Sequence, residues 1–183
     1  MLLHAKGTAF SIASLLADKK DAARLAGGPY LVVYLSPQDY HRVHSPVTGK
    51  IVAWVHVPGS LFPVGPRSVQ REPGLFAKNE RFIIHIATSH GLCSVVMVAA
   101  VGVGHITTSF DATVATHHPN FNSQRTILRC ELAHPISILQ GEELGIFNLG
   151  STTITIFEPD RVMLHPLPPN SRVLVGTEVG RIQ

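Results

Sequence analysis

Apolar positions between residues 10 and 26 recur at helical spacing. Phe10, Ile12, Leu15, Leu16 and Leu25 fall on one side, and Lys19, Lys20, Asp21 and Arg24 on the other. The pattern predicts one amphipathic helix over 10–26, ended by Gly27-Gly28-Pro29, where the backbone relaxes and a proline blocks any continuation. Such a helix caps a sheet with its apolar face.

From residue 30 onward the rhythm changes. Short runs rich in Val, Ile, Phe and Thr, separated by Gly and Pro, predict strands at 30–36, 50–57, 81–87, 94–100, 103–110, 144–147, 152–157 and 172–175. The 15 glycines and 13 prolines suit many tight corners. The predicted fold is mainly β within the α+β class: a sandwich or barrel-like core with an N-terminal helix, built as one domain over 1–183.

Composition narrows the choice. Hydrophobic residues make up 45% of the 183 and charged residues only 15%, which is globular and excludes a disordered chain. The net charge of +3 is mild, and no run of Lys or Arg marks a nucleic-acid site. Cys93 and Cys130 are isolated and predict buried free thiols in a reducing compartment. No apolar run approaches the roughly 20 residues that a membrane-spanning helix needs.

One dipeptide carries the chemistry. Gly150-Ser151 sits between two apolar β-type runs, 145–148 and 153–157. At a tight bend a serine oxygen can lie against the preceding carbonyl carbon, and attack there converts the amide to an ester. Elimination across the serine Cα–Cβ bond then frees the upstream chain as a carboxylate. The dehydroalanine left behind hydrolyses to an N-terminal pyruvoyl group. A pyruvoyl carbonyl condenses with a substrate amine and withdraws electrons, as pyridoxal phosphate does.

Serine needs a base to become a nucleophile. The segment Asp39-Tyr40-His41-Arg42-Val43-His44 supplies two imidazoles that titrate near neutral pH. A spacing of three on an extended or turning segment points them in different directions, so one serves the serine and the other the substrate. A His-x-x-His pair also suits metal, but zinc needs a third ligand, and no His-Glu-x-x-His motif accompanies the pair. No metal is expected. Leu75 through Arg81 reads as a salt-bridged, solvated corner before a strand.

Four segments together resemble the phosphatidylserine decarboxylase family. They are His4-Ala5-Lys6-Gly7 with Phe10-Ser11 and Leu15-Leu16; Tyr34 through His44; Leu75 through Arg81; and Gly141-Glu142-Glu143-Leu144-Gly145 through Thr152. The resemblance implies a zymogen cut at Gly150-Ser151 into a β subunit, 1–150, and an α subunit, 151–183, that begins with a covalent pyruvoyl cofactor from Ser151. It implies that His44 is the maturation base and that His41 handles the proton in decarboxylation. Phosphatidylserine is the implied substrate and phosphatidylethanolamine the product. Further implied partners are a membrane surface, the chain's own fragments and a second copy in a homodimer, with the protein peripheral on the cytoplasmic face. The family's upstream Pro-x-Asp-Gly segment, whose aspartate orients the maturation histidine, has no counterpart here. The resemblance is therefore to an N-terminally short member, and the alternative is a maturation-defective homologue that binds lipid or a partner without catalysis.

Overall fold

The apolar runs become, in the computed structural model, two packed antiparallel sheets with helices on the outer face of the larger one. The structure describes residues 2–5, 8–102, 104–118, 120–148, 151–168 and 170–183. For Leu2, His4, Ala5, Thr8, Pro66 and Ser151 it describes the backbone alone.

The chain opens with a hairpin, β1 (Leu2–Ala5) and β2 (Thr8–Ser11). The single helix expected over 10–26 is instead two, α1 (Ile12–Leu16) and α2 (Lys19–Arg24), with Phe10 still in β2. Ala17 adopts a left-handed conformation (φ 54°) between them. The side chain of Asp18 then caps α2, accepting from the amides of Lys20 (2.7 Å) and Asp21 (2.9 Å). A short carboxylate that satisfies free amides starts a new helix more readily than it continues an old one. The break does not disturb the amphipathic pattern: Phe10, Ile12, Leu15, Leu16 and Leu25 are all buried in one cluster.

The strands that follow are β3 (Tyr30–Leu35), β4 (Arg42–His44), β5 (Gly49–Val57), β6 (Arg81–Thr88), β7 (Gly91–Val98), β8 (Ile106–Thr108), β9 (Leu128–Ile138), β10 (Glu143–Phe147) and β11 (Ser151–Phe157). Six form one sheet in the order β3-β11-β7-β6-β5-β9, and three form another, β4-β10-β8. The inner face of the large sheet meets the small one through Phe82, Ile84, Met97, Ile106, Leu144 and Phe147. Its outer face meets the helices through Ile83, Val96, Val98, Ile154 and Ile156. Being covered twice, β6 and β7 read as continuous apolar runs rather than alternating ones.

Two short helices lie between β5 and β6: α3 (Pro66–Arg71) and α4 (Leu75–Lys78). The corner expected at 75–81 is thus largely a helix, whose Leu75 and Phe76 are buried while Lys78 pairs with Glu72. Arg81 carries the joint between helices and sheet. Its guanidinium donates to four carbonyl oxygens, those of Ser14, Leu15, Ala77 and Asn79, at 2.6–2.9 Å. Burial lowers its pKa to about 10.

Other expectations need correction. The strand expected at 103–110 is confined to Ile106–Thr108, and Val103 lies outside the described residues. Residues 172–175 form no strand; the chain ends in a ribbon of β12 (Val162–Leu164) and β13 (Gly180–Ile182). The 11-residue β9 went unpredicted because Arg129, Glu131, His134 and Pro135 interrupt its apolar pattern. It is an edge strand with a register shift against β5, where exposed charges and a proline are tolerated. Cys93 is buried, which pushes its thiol pKa up, but Cys130 is only half-buried on that edge.

Candidate active site

Two of the connections that join the two sheets hold candidate residues. Residues 36–41 lead from β3 to β4, and 148–150 lead from β10 back to β11. At one end Ser151 pairs with Leu35. At the other the amide of Phe147 donates to the carbonyl of His41 at 3.0 Å. The topology therefore brings the two ends of 36–41 beside Phe147 and Ser151, although these lie more than a hundred residues away in the chain. Gly150 lies outside the described residues, as does the side chain of Ser151.

The turn at 36–39 is closed by Asp39, whose carboxylate accepts from both the amide and the hydroxyl of Ser36 at 2.8 Å. Those bonds hold the Asp39 carboxyl below its ordinary pKa. His41 follows, with its Nε2 buried and without a hydrogen-bond partner among the described residues. Thr152, next to Ser151, has a fully buried hydroxyl in the same condition. Buried polar atoms almost always find partners, so each of these two is available to a further polar group.

His44 is placed differently. It pairs with Glu143 at the far end of β10, whereas His41 meets Phe147 at the near end. Four residues of strand span roughly 13 Å. The His44 ring stacks on Tyr40, centroids 5.6 Å apart, and both its nitrogens are engaged: Nδ1 with the carbonyl of Gly141 and Nε2 with the Tyr40 hydroxyl, each at 2.8 Å. A carbonyl only accepts, so Nδ1 carries the proton and Nε2 of the neutral ring is the basic nitrogen, receiving the phenol hydrogen. The backbone of His41 thus meets β10 at the end that leads toward Ser151, and that of His44 meets it at the opposite end.

Several supporting residues escaped sequence reasoning. The carbonyl of His105 accepts from both the amide (3.0 Å) and the side-chain amide (3.1 Å) of Asn148. The neighbouring turn is fixed by Thr116, whose hydroxyl donates to the Gly104 carbonyl (2.7 Å) and accepts from the Ile106 amide (2.8 Å). His117 covers Gly104 so closely that a Cβ there would lie 2.6 Å from its ring. His117 Nε2 in turn meets the buried carboxylate of Glu80 at 3.0 Å, and His56 Nε2 meets the other oxygen at 3.2 Å. The signal available was Asn79-Glu80-Arg81, three polar residues set directly before an apolar strand. Among the described residues no group of three or more His, Cys, Asp or Glu is arranged to hold a metal ion.

The sequence model of phosphatidylserine decarboxylase matches residues 1–181. The chain belongs to the phosphatidylserine decarboxylase family. It is 44% identical over 181 residues to a phosphatidylserine decarboxylase proenzyme of Anaeromyxobacter sp. (strain K), covering 98% of this chain and 63% of that protein. Proteins of the same description from Stutzerimonas stutzeri (42% over 183 residues) and Myxococcus xanthus (38% over 182) are covered over 61% and 62% of their lengths, again with 98% of this chain. The chain therefore spans somewhat less than two thirds of these relatives. These relatives are described as proenzymes.

Proposed function

We propose that the protein decarboxylates phosphatidylserine to phosphatidylethanolamine, using a pyruvoyl group made from Ser151 by self-cleavage at Gly150-Ser151. The observation that carries this reading is the backbone pairing at the two ends of 36–41, Ser151 opposite Leu35 and Phe147 on His41, which brings the histidine segment to the residues on either side of 149–150. Family membership and the relatives' description as proenzymes support it.

In maturation the Ser151 hydroxyl attacks the Gly150 carbonyl carbon while a base takes its proton; the Gly150–Ser151 C–N bond then breaks, and the base returns the proton to the nitrogen, which leaves as an amine with Gly150 now held as an ester. Loss of the Ser151 α-proton then expels 1–150 with a C-terminal carboxylate. Water replaces the nitrogen of the remaining dehydroalanine and ammonia leaves. His44 is the base in this reading, with the Gly141 carbonyl holding its tautomer as a carboxylate does in a triad; its Nε2 must leave Tyr40 to act.

The orphaned atoms of His41 and Thr152 fit a site that acquires another polar group. A pyruvoyl carbonyl binds a primary amine and draws off the electron pair left when CO2 departs. His41 Nε2, buried and without a partner among the described residues, returns a proton to the substrate carbon. The substrate's two acyl chains require a membrane surface, on which the protein sits peripherally.

Mass spectrometry of the purified protein tests maturation: fragments 1–150 and 151–183, the latter lacking ammonia relative to serine, are expected. An intact chain with unmodified Ser151 after long incubation counts against the reading. Assay with phosphatidylserine against free serine tests the substrate, and release of CO2 from serine alone overturns the lipid assignment.

A further inference from the structure

The six strands of the large sheet alternate in direction, so the ends of β3, β5 and β7 lie with the beginnings of β6, β9 and β11. That end carries Ser151. It also carries Phe62, Val101 and Ile127, exposed by 39%, 60% and 58%, respectively. Hydrogen bonds tie their loops to one another. Asn79 binds the backbone of Phe62 and, through its side-chain amide, the carbonyl of Ala99, two residues before Val101. Arg125, two residues before Ile127, donates to the Gly59 carbonyl at 3.2 Å. Three loops therefore present apolar tips from one braced platform.

Cations follow the first tip in the chain, on α3, which begins four residues after Phe62. Arg67 and Arg71 on α3 are exposed and form no ion pair among the described residues. Arg125 is also exposed and reaches Glu80 only at 3.8 Å. The carboxylates at this end are already engaged: Glu72 by Lys78, Glu80 by two histidines, Asp39 by Ser36. Exposed apolar tips accompanied by exposed arginines match the acyl boundary and anionic head groups of a phospholipid bilayer.

We infer that this end of the sheet is the surface that docks on an anionic bilayer, with Phe62, Val101 and Ile127 entering the acyl boundary and Arg67, Arg71 and Arg125 meeting phosphates. The inference rests on the proposed activity for its biological sense, because it turns the Ser151 crossover toward the lipid that would be consumed. A second group of exposed apolar residues, Leu174 and Val175 among them, lies in the C-terminal segment and is excluded from the contact.

Sedimentation with phosphatidylcholine vesicles containing phosphatidylglycerol, an anionic lipid that is not the substrate, tests this. The protein is expected to sediment with these vesicles. Phe62→Ser/Val101→Ser/Ile127→Ser lowers binding at least about tenfold, Arg67→Glu/Arg71→Glu does the same on anionic vesicles only, and Leu174→Ser/Val175→Ser leaves it unchanged. The arginine variant alters only exposed positions, so a folding defect in the apolar variant leaves the test intact. Unchanged binding by both docking variants, or loss of binding by the C-terminal variant, overturns the inference. Turnover of a monomeric short-chain phosphatidylserine separates it from the activity reading. If the wild-type protein binds vesicles but never turns over this substrate, the activity fails and the docking surface stands. If it turns the substrate over but the docking variants keep their vesicle-to-short-chain turnover ratio, the surface fails and the activity stands.

Discussion

The amide of Phe147 donates to the carbonyl of His41 at 3.0 Å, and this bond places His41 at the crossover that leads to Ser151. Because the backbone of His41 makes the contact, its side chain can be removed without undoing the placement. His41→Ala is expected to leave cleavage intact and to lower CO2 release from phosphatidylserine by about 10²-fold or more, the usual worth of a positioned proton donor. Fragment masses and a CO2 assay on the same sample decide it; full CO2 release by the variant removes His41 from the reaction.

Asn148 anchors the other strand of the crossover by two bonds to the His105 carbonyl. Asn148→Asp keeps the backbone bond and replaces the side-chain donor with a carboxylate facing a carbonyl. Small misplacements of a reacting bond can cost up to about 100-fold, so cleavage should slow by at least about tenfold. Asn148 is exposed, so the melting temperature should stay nearly constant. Slowed cleavage at unchanged melting temperature identifies a positioning role, whereas unchanged cleavage shows that the bond is incidental.

Much of this arrangement was legible in advance, and the exceptions have physical causes. The apolar runs gave the central strands because a sheet covered on both faces leaves no alternation to misread. Residues 10–26 showed the right buried face but not the break, since Asp18 acts through local capping that periodicity does not register. β9 was invisible because an edge strand answers to solvent on one side. The site was legible as residue types and not as a geometry. Nothing in a spacing of three indicates that His41 sits near Phe147 while His44 sits four strand positions away, opposite Glu143. Glu80, His117 and Asn148 come from three distant segments, and their joint action exists only in the folded chain.

Glu80 braces that loop system from within. Glu80→Ala strips His56 and His117 of their common partner in a buried setting, which should cost about 2–4 kcal/mol. Thermal or urea unfolding measures the loss. Glu80→Gln, which retains an acceptor, should recover a good part of it; equal losses for both variants point to charge alone.

A second buried polar group lies away from the site. His85 bonds Ser94 through Nδ1 (2.8 Å), with Nε2 3.3 Å from Asp21, whose carboxylate is held by Arg129 at 2.6 Å. Burial is the largest influence and lowers the His85 pKa, against the pull of the Asp21 carboxylate. The unfolded chain, with a pKa near about 6.5, then binds more protons than the folded one. Stability is accordingly full above that value and falls as pH drops from it toward the folded pKa. His85→Leu should flatten this part of the pH–stability profile. A slope unchanged in the variant assigns the titration to another group.

Tyr40 and His44 give the sharpest test of the division of labour. The Gly141 carbonyl holds the proton on Nδ1, leaving Nε2 as the only basic nitrogen, and the Tyr40 hydroxyl occupies it. If His44 is the maturation base, the phenol competes with Ser151 for that lone pair. Tyr40→Phe preserves the ring stacking and removes the competitor, so cleavage should be as fast or faster, while His44→Ala should stop it. Were the phenol instead the link between His44 and the serine, Tyr40→Phe would slow cleavage nearly as much as His44→Ala. A time course of fragment appearance for the two variants separates these outcomes. Cleavage at the wild-type rate in His44→Ala would pass the role to His41, the imidazole at the near end of β10.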